Sequence, residues 1–395
     1  MKAEFELTLR LLSPIALHRT RGSVQYAETL DYIPGIALRG VLAELYLNEH
    51  GKAEDIAFQN LFVSDQVQYG DLWPTPCSNE MHSSILIPAT AQACKRYGLT
   101  HKDSFRDTVL DVFAAPSTRE CGHVGDGRRC REPLDRIDGY LDDLKGLEKV
   151  GAKSELRVSA AMDRTTGTAA REMLFTQHAL THKNVARQDG EIYFRGTLRF
   201  ADSALKPQLI TLLKEKTSFF LGSGRSRGLG EMVVKRFKEV ETAVSLKERW
   251  EKFNEVAHKP DSDANYHYFS LTFLSHVALR DGFLCPVLAD IAPHHFGLPK
   301  GVSFARRSDS DQQVCFLNQI TLHGWNAAQG LPKPDTVALA RGSVLLFQCD
   351  KNLQSEVFNR LAQIEAEGIG ERRGEGFGRI VVCHPIHYQL RGEDA

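Results

Sequence analysis

Two stretches of this chain repeat each other in content and in order, which constrains the fold to two copies of one structural unit. Near the start, Phe5-Glu-Leu-Thr-Leu9 with Leu12-Ser-Pro-Ile-Ala-Leu17 matches Phe269-Ser-Leu-Thr-Phe273 with Leu274-Ser-His-Val-Ala-Leu279. The match needs a two-residue slip, which keeps every side chain on the same face of a strand. Later in each half, Gly196-Thr-Leu-Arg-Phe200, a helical stretch and the loop Gly222-Ser-Gly-Arg-Ser-Arg-Gly-Leu-Gly230 answer to Gly342-Ser-Val-Leu-Leu-Phe347, a helical stretch and Gly370-Glu-Arg-Arg-Gly-Glu-Gly-Phe-Gly378. Within the loops Gly222 coincides with Gly370, Arg225 with Arg373, Gly228 with Gly376 and Gly230 with Gly378.

Apolar periodicity assigns the elements of the unit. Phe5, Leu7, Leu9 and Leu11 alternate as a half-buried strand, and Phe269, Leu271 and Phe273 do the same. Leu205, Leu209, Leu212 and Leu213 fall at helical spacing, as do Leu353, Val357, Leu361 and Ile364. Each glycine loop is followed by a short apolar run, Met232-Val-Val234 or Ile380-Val-Val382, that reads as a strand. The first half adds Tyr32-Ile-Pro-Gly-Ile-Ala-Leu-Arg-Gly40, leading into a helix that Gly51 can terminate.

This order gives an α+β chain of two tandem ferredoxin-like (RRM-like, βαββαβ) domains, with glycine-rich loops in both and a cysteine-bearing insertion in the first. The expected domains are 1–257, with the insertion at about 75–150, and 258–395. A charged helix around Leu246 to Ala257 precedes the polar stretch His258-Lys-Pro-Asp-Ser-Asp-Ala-Asn265, the expected link.

At 395 residues, 42% hydrophobic, the chain has room for two ordinary cores. Its N-terminus lacks the uninterrupted apolar centre of a secretory signal and no apolar run is long enough to span a bilayer, so a soluble cytoplasmic protein without a membrane partner is expected. A net charge of -1 excludes a broadly basic nucleic-acid binder, and any RNA site must be local. Eight cysteines are too sparse for a disulfide framework and read as reduced thiols or metal ligands.

Glycine loops invite a nucleotide-binding reading, but dinucleotide and P-loop motifs place a strand before the loop and a helix after it, the reverse of the order here. Neither loop ends in Gly-Lys-Ser/Thr. The alternative is that glycines let backbone amides approach a ligand backbone while Arg225 and Arg227, and Arg372, Arg373 and Arg379, neutralise phosphates. A tight structural turn with solvated arginines is the plain reading of the same residues.

Ile33-Pro-Gly-Ile-Ala-Leu-Arg-Gly40 and the two loops resemble the signature segments of the CRISPR-associated RAMP superfamily, closest to the tandem-domain RAMP subunit of type III-D effectors. That resemblance implies a double ferredoxin-like fold holding CRISPR guide RNA near its 5′ tag, without cutting it. It also implies partners: other RAMP backbone subunits and the large polymerase-like subunit of the effector. Carried onto this chain, the RNA-facing positions are Gly35, Arg39 and Gly40, then Gly222, Gly224, Arg225, Ser226, Arg227, Gly228 and Gly230, then Arg372, Arg373, Gly376, Gly378 and Arg379. The second half lacks a clear Ile-Pro-Gly-x-x-Leu-Arg-Gly copy.

The run around Cys94, with Arg106-Asp-Thr-Val-Leu110 and Cys130-Arg-Glu-Pro-Leu-Asp135, resembles a cysteine-bearing segment of the same subunit family, although Cys121 and Cys130 are separated by a longer loop. Three thiolates and one imidazole make a closed structural zinc site that would stabilise a polar insertion. Cys94, Cys121 and Cys130 are the thiolate candidates and His123 the fourth ligand, with His101 or Cys77 as alternates. Cys285, Cys315, Cys349 and Cys383 stand apart and read as core residues.

Two other functions compete. A metal-independent endoribonuclease could use His18, beside Arg19 and Arg21, as general acid or base. A scaffold could use the arginine loops to grip another protein's carboxylates, since carboxylate and phosphate share bidentate geometry. His294-His295 reads as a surface pair, and Trp325, Phe347 and Phe377 as core aromatics.

Overall fold

In a computed structural model, the described residues are 3–18, 26–77, 83–113, 120–125, 127–186, 190–240, 245–257, 265–288, 290–307, 312–326 and 329–390. Residues 258–264 of the expected polar link lie outside them. The fold is mixed α+β, and among the described residues no helix is long and apolar enough to cross a membrane.

The first unit runs β1 (Ala3–Leu11), α1 (Gly35–His50), β2 (Val67–Tyr69), β3 (Trp73–Pro76), β4 (Ala152–Met162), β5 (Ala169–Asn184), β6 (Ile192–Phe200), α2 (Lys206–Leu212), β7 (Ser218–Phe220) and β8 (Glu231–Glu239). Its main sheet has the order β7-β8-β1-β6-β2, with β3 also paired to β6. Phe5, Leu7, Leu9 and Leu11 are buried as their alternation requires. The polar alternates Glu6 and Thr8 are buried too, because Arg195 reaches across to both: its Nε donates to Thr8 Oγ1 at 3.2 Å and lies 3.8 Å from Glu6 Oε1. Helix α1 buries Leu38, Val41, Leu42 and Tyr46, and ends where the Gly51 amide donates to the Leu47 carbonyl at 2.7 Å.

The second unit runs α3 (Leu246–Ala257), β9 (Tyr266–Phe273), β10 (Ser303–Phe304), β11 (Cys315–Phe316), β12 (Gln319–Asn326), β13 (Leu331–Leu339), β14 (Val344–Asp350), α4 (Gln354–Glu367) and β15 (Ile380–Val382). Its sheet order, β10-β14-β9-β15, repeats the β2-β6-β1-β8 of the first unit. A two-stranded hairpin interrupts the same connection in each unit, β4-β5 in one and β12-β13 in the other. Where the first unit has α1, the second has one 3-10 turn, Pro293–Phe296. This agrees with the missing Ile-Pro-Gly segment. Helix α3 contributes Trp250, Phe253 and Ala257 to the second core, with Trp250 stacked on Phe269 at 5.6 Å.

The repeat holds at the level of single hydrogen bonds. Gly230 N donates to Pro14 O and Gly378 N to His276 O, both at 2.8 Å. Ser223 N to Ala16 O is matched by Glu371 N to Ala278 O, and Leu221 N to Gly230 O by Ile369 N to Gly378 O, all at 2.8–2.9 Å. The residues that looked alike in sequence are those that tie each first strand to its own glycine loop.

Several expectations change. The insertion belongs as much to the second unit as to the first: Val109, Leu110 and Val112 join the second core. Buried Asp107 accepts from Thr90 and faces His387 Nδ1 at 3.0 Å, while His387 Nε2 meets Thr272 Oγ1 at 2.7 Å. Cys349 and Cys383 are core residues, but Cys285 is exposed. It closes a polar turn in which Asp281 Oδ1 accepts the amides of Phe283 and Cys285. Phe347 and Phe377 are buried, whereas Trp325, near the tip of the β12-β13 hairpin, is 62% exposed.

Buried charge stitches the units together. Arg379, which follows the second glycine loop, donates to Glu4 of β1 at 2.8 Å and to the Thr197 carbonyl of β6 at 3.1 Å. Burial pushes the Glu4 carboxyl up, but Arg379 and Arg199 overcome it and hold it at about 2, against an ordinary 4.5. A carboxylate held low contributes stability that is present above its unfolded pKa and is lost as pH falls through the folded one. Glu4→Gln should therefore cost about 3 kcal/mol at neutral pH, since it leaves Arg379 buried without its counter-charge. Between about pH 4.5 and pH 2 the variant should lose less further stability than the parent chain. Urea unfolding at stepped pH measures both effects.

Candidate functional site

The two glycine loops share a backbone and differ in surroundings. In the first, a 3-10 turn spans Arg225–Arg227 between Gly224 and Gly228; in the second the turn is Arg373–Glu375 between Arg372 and Gly376. Arg372 occupies the left-handed conformation (φ 60°) that Gly224 (φ 72°) adopts at the matching position, a conformation that costs an ordinary side chain. Its guanidinium is held at 2.5 and 2.8 Å by Glu375 and lies 4.6 Å from the Phe377 ring centre.

The first loop is open. Arg225, Ser226, Arg227 and Gly228 are all exposed, while Leu229 and Gly230 anchor the loop from beneath. Arg225 pairs with Glu44 of α1 at 2.7 Å, a contact in which both side chains are about half exposed. Beside the loop, Gln177 of β5 donates to Ser223 Oγ at 2.8 Å, and His178 meets Tyr26 Oη and Ser154 Oγ at 3.0 Å each. His18, exposed and bridged to Thr29, stands near the same edge; Arg19 and Arg21 lie outside the described residues. No motif or spacing marked Gln177, His178, Tyr26 or Glu44 as flanking the loop, because they come from a hairpin, a short strand and a helix far away in the chain.

The second loop is closed. Gly374, Glu375, Gly376, Phe377, Gly378 and Arg379 are buried, and they face the first unit. Gly374 N donates to Asp65 Oδ1 at 3.0 Å, and Arg373 lies 3.9 Å from the same carboxylate. Of the positions expected to face RNA, Gly376, Gly378 and Arg379 are buried against Tyr69, Ile369 and Glu4 of the same chain, while Arg372 and Arg373 are half-buried beside Glu375 and Asp65. Gly35 is buried as well. Its amide donates to buried Asp71 at 2.9 Å, and a Cβ there would lie 1.7 Å from the Tyr69 carbonyl oxygen. Arg39 is half-buried, 3.5 Å from Glu375, whereas Gly40 is exposed with open space above it.

In the insertion, Cys94, His101, Cys121 and Cys130 present ligand atoms that all lie within 4.8 Å of one another. Zinc–sulfur bonds of about 2.3 Å at tetrahedral angles need donor separations near 3.8 Å, so this set fits a structural zinc ion. Burial pushes the Cys94 thiol up, but the amides of Tyr97 and Arg96 and the thiols of Cys121 and Cys130 overcome it and hold its pKa below the ordinary value. His123, expected as the fourth member, lies outside this set, and the alternate His101 stands in its place. His101 Nδ1 lies 3.4 Å from Cys121 Sγ, whereas His123 turns its Nδ1 to Asp103 at 2.9 Å. The available signal was the short span from Cys94 to His101, which the turn at Gly98 folds back on itself, its amide donating to the Cys94 carbonyl at 2.7 Å.

The sequence profile of the RAMP superfamily matches residues 8–233, more than half of the chain. The chain belongs to the RAMP superfamily. The matched span of this RAMP chain takes in the end of β1, the cluster of Cys94, His101, Cys121 and Cys130, and the first glycine loop. Among solved structures, a chain in the cryo-EM structure of the Type III-B Cmr-beta bound to cognate target RNA is similar over 92% of this chain and 95% of its own, at 12% identity and a TM-score of 0.44. A chain in the structure of Type III-B Cmr-beta bound to cognate target RNA and AMPPnP, state 1, is similar over 90% and 88%, at 12% identity and a TM-score of 0.43. No curated protein sequence matches.

The ligand geometry makes a direct prediction. His101→Ala, or Cys121→Ser with Cys130→Ser, should strip zinc from the purified protein, while His123→Ala and Cys77→Ser should keep it near one equivalent. Elemental analysis of freshly purified variants measures this.

Proposed function

We propose that this RAMP chain is a non-catalytic guide-RNA-binding subunit of a type III CRISPR effector, of the III-D kind, built from two tandem ferredoxin-like units. Its first glycine loop contacts the backbone of the guide in the region of the 5′ tag. Other RAMP backbone subunits and the large polymerase-like subunit are its partners. The observation that carries this reading is the contrast between the loops. One is spent inside the molecule, and the other presents Arg225, Ser226, Arg227 and Gly228 to solvent on a fixed backbone. Two arginines beside a glycine turn suit a phosphodiester backbone, and a net charge of -1 for the whole chain suits contact that is local. Membership of the RAMP superfamily supports the same assignment. The insertion, with zinc on Cys94, His101, Cys121 and Cys130, cross-links a segment of short strands whose own apolar cluster is small.

A second reading has its own support. The second loop grips carboxylates of the first unit, so the first loop could grip carboxylates of a neighbouring subunit in the same way. Salt and RNA separate the two readings. Under the RNA reading, Arg225→Ala with Arg227→Ala should weaken guide retention and flatten its dependence on salt by about 0.7 per lost single-strand phosphate contact. Arg373→Ala should leave that slope unchanged and lower stability instead. His18→Ala should leave guide length unchanged. Full guide occupancy for the double variant at low and high salt, with loss of a protein subunit, would favour the scaffold.

A further inference from the structure

A second concentration of exposed positive charge lies on the insertion, away from the first loop. Between Cys121 and Cys130 the chain turns back as a small hairpin, Val124–Gly125 paired with Arg128–Arg129. Its feet are pinned by Cys121 N to Glu132 O at 2.8 Å and Cys130 N to His123 O at 2.7 Å. The two cysteines therefore fix where the hairpin points. Arg128, Arg129 and Arg131 are exposed, and none of the three has an ion pair or side-chain hydrogen bond among the described residues. Three carboxylates of the insertion are engaged elsewhere: Glu132 lies 3.5 Å from Arg96, Asp135 3.9 Å from Lys95 and Asp103 2.9 Å from His123.

Beside these arginines stands a column of flat rings. Tyr97 stacks on His101 at 4.3 Å and 24°, and His101 stacks on His123 at 4.0 Å and 26°. Both ends of the column reach solvent, Tyr97 being 44% exposed and the His123 side chain 28%. Arg96 already lies over Tyr97, 5.4 Å from its ring centre. A cleft of about 390 Å³ separates the column from Arg128, Arg129 and Arg131.

Unpaired guanidiniums attract phosphates, and stacked rings with a free end accept a nucleobase. A duplex would use the charge but hide its base faces, and an acidic peptide would use the charge but not the rings. We infer that the insertion is a second nucleic-acid contact, which takes a short stretch of single-stranded RNA. Its phosphates lie on Arg128, Arg129 and Arg131, and one base extends the ring column. This site shares no residue with the first glycine loop and does not depend on what that loop binds.

The test uses the full chain carrying Arg225→Ala and Arg227→Ala, so that binding at the first loop does not mask the signal. Fluorescence anisotropy follows a labelled oligouridine of about 12 nucleotides across a salt series. Replacing Arg128, Arg129 and Arg131 by Ala should flatten the salt slope by about 2, the value for three single-strand phosphates. Tyr97→Ala should weaken binding about tenfold, and Tyr97→Phe should restore it. Zinc content and circular dichroism should be the same in every variant. Unchanged affinity and slope in the triple arginine variant would overturn the proposal. So would a loss confined to duplex RNA or to oligoglutamate, with oligouridine unaffected.

Discussion

Two backbones meet without side chains between them where the second glycine loop enters the first unit. A Cβ on Gly376 would lie 2.1 Å from the Tyr69 carbonyl oxygen and 3.4 Å from the Gly35 Cα, and a Cβ on Gly35 would lie 1.7 Å from the same carbonyl oxygen. No side chain larger than hydrogen fits at either position. Around this contact the charges close in: Glu375 receives Lys333 at 2.8 Å and Arg39 at 3.5 Å, and Arg379 reaches Glu4. The way the units face each other follows from that approach, and so does the availability of the first loop, which has no such socket.

Duplication followed by divergence of surroundings explains the rest of the site. Both loops keep the hydrogen bonds that tie them to their own first strands, so both keep their shape. What differs is the residue that replaces Glu231 after the loop. In the second unit it is Arg379, a buried cation that the first unit satisfies with Glu4 and the Thr197 carbonyl. The insertion braces the same arrangement from another side, through Asp107 and His387.

The sequence made the repeat legible because the matched residues are those whose backbones must form the same turn twice. Periodicity placed β1, β9, α2 and α4, since each has an apolar stripe of its own, whereas α1 was placed by the segment that leads into it and by Gly51 at its end. It could not tell that Glu6 and Thr8 are also buried, because only the long reach of Arg195 makes that tolerable. Nor could it say that one loop is closed, since Asp65, Tyr69 and Gly35 are remote in sequence from Gly376. The choice of His101 over His123 rested on which imidazole Asp103 claims, a contact that no spacing rule encodes. Trp325 was misjudged because apolar character was taken as burial, and it sits near the tip of its hairpin, at the far end from buried Ala338 and Leu339.

The central claim is that one glycine loop faces RNA while its copy faces the first unit. Photo-crosslinking of the guide-bound protein followed by peptide mass spectrometry tests it most directly, because it reads contact without altering any residue. Guide nucleotides should be found on peptides containing Arg225 to Gly230 and not on those containing Arg373 to Arg379. Crosslinks on the second loop, with none on the first, would contradict the account.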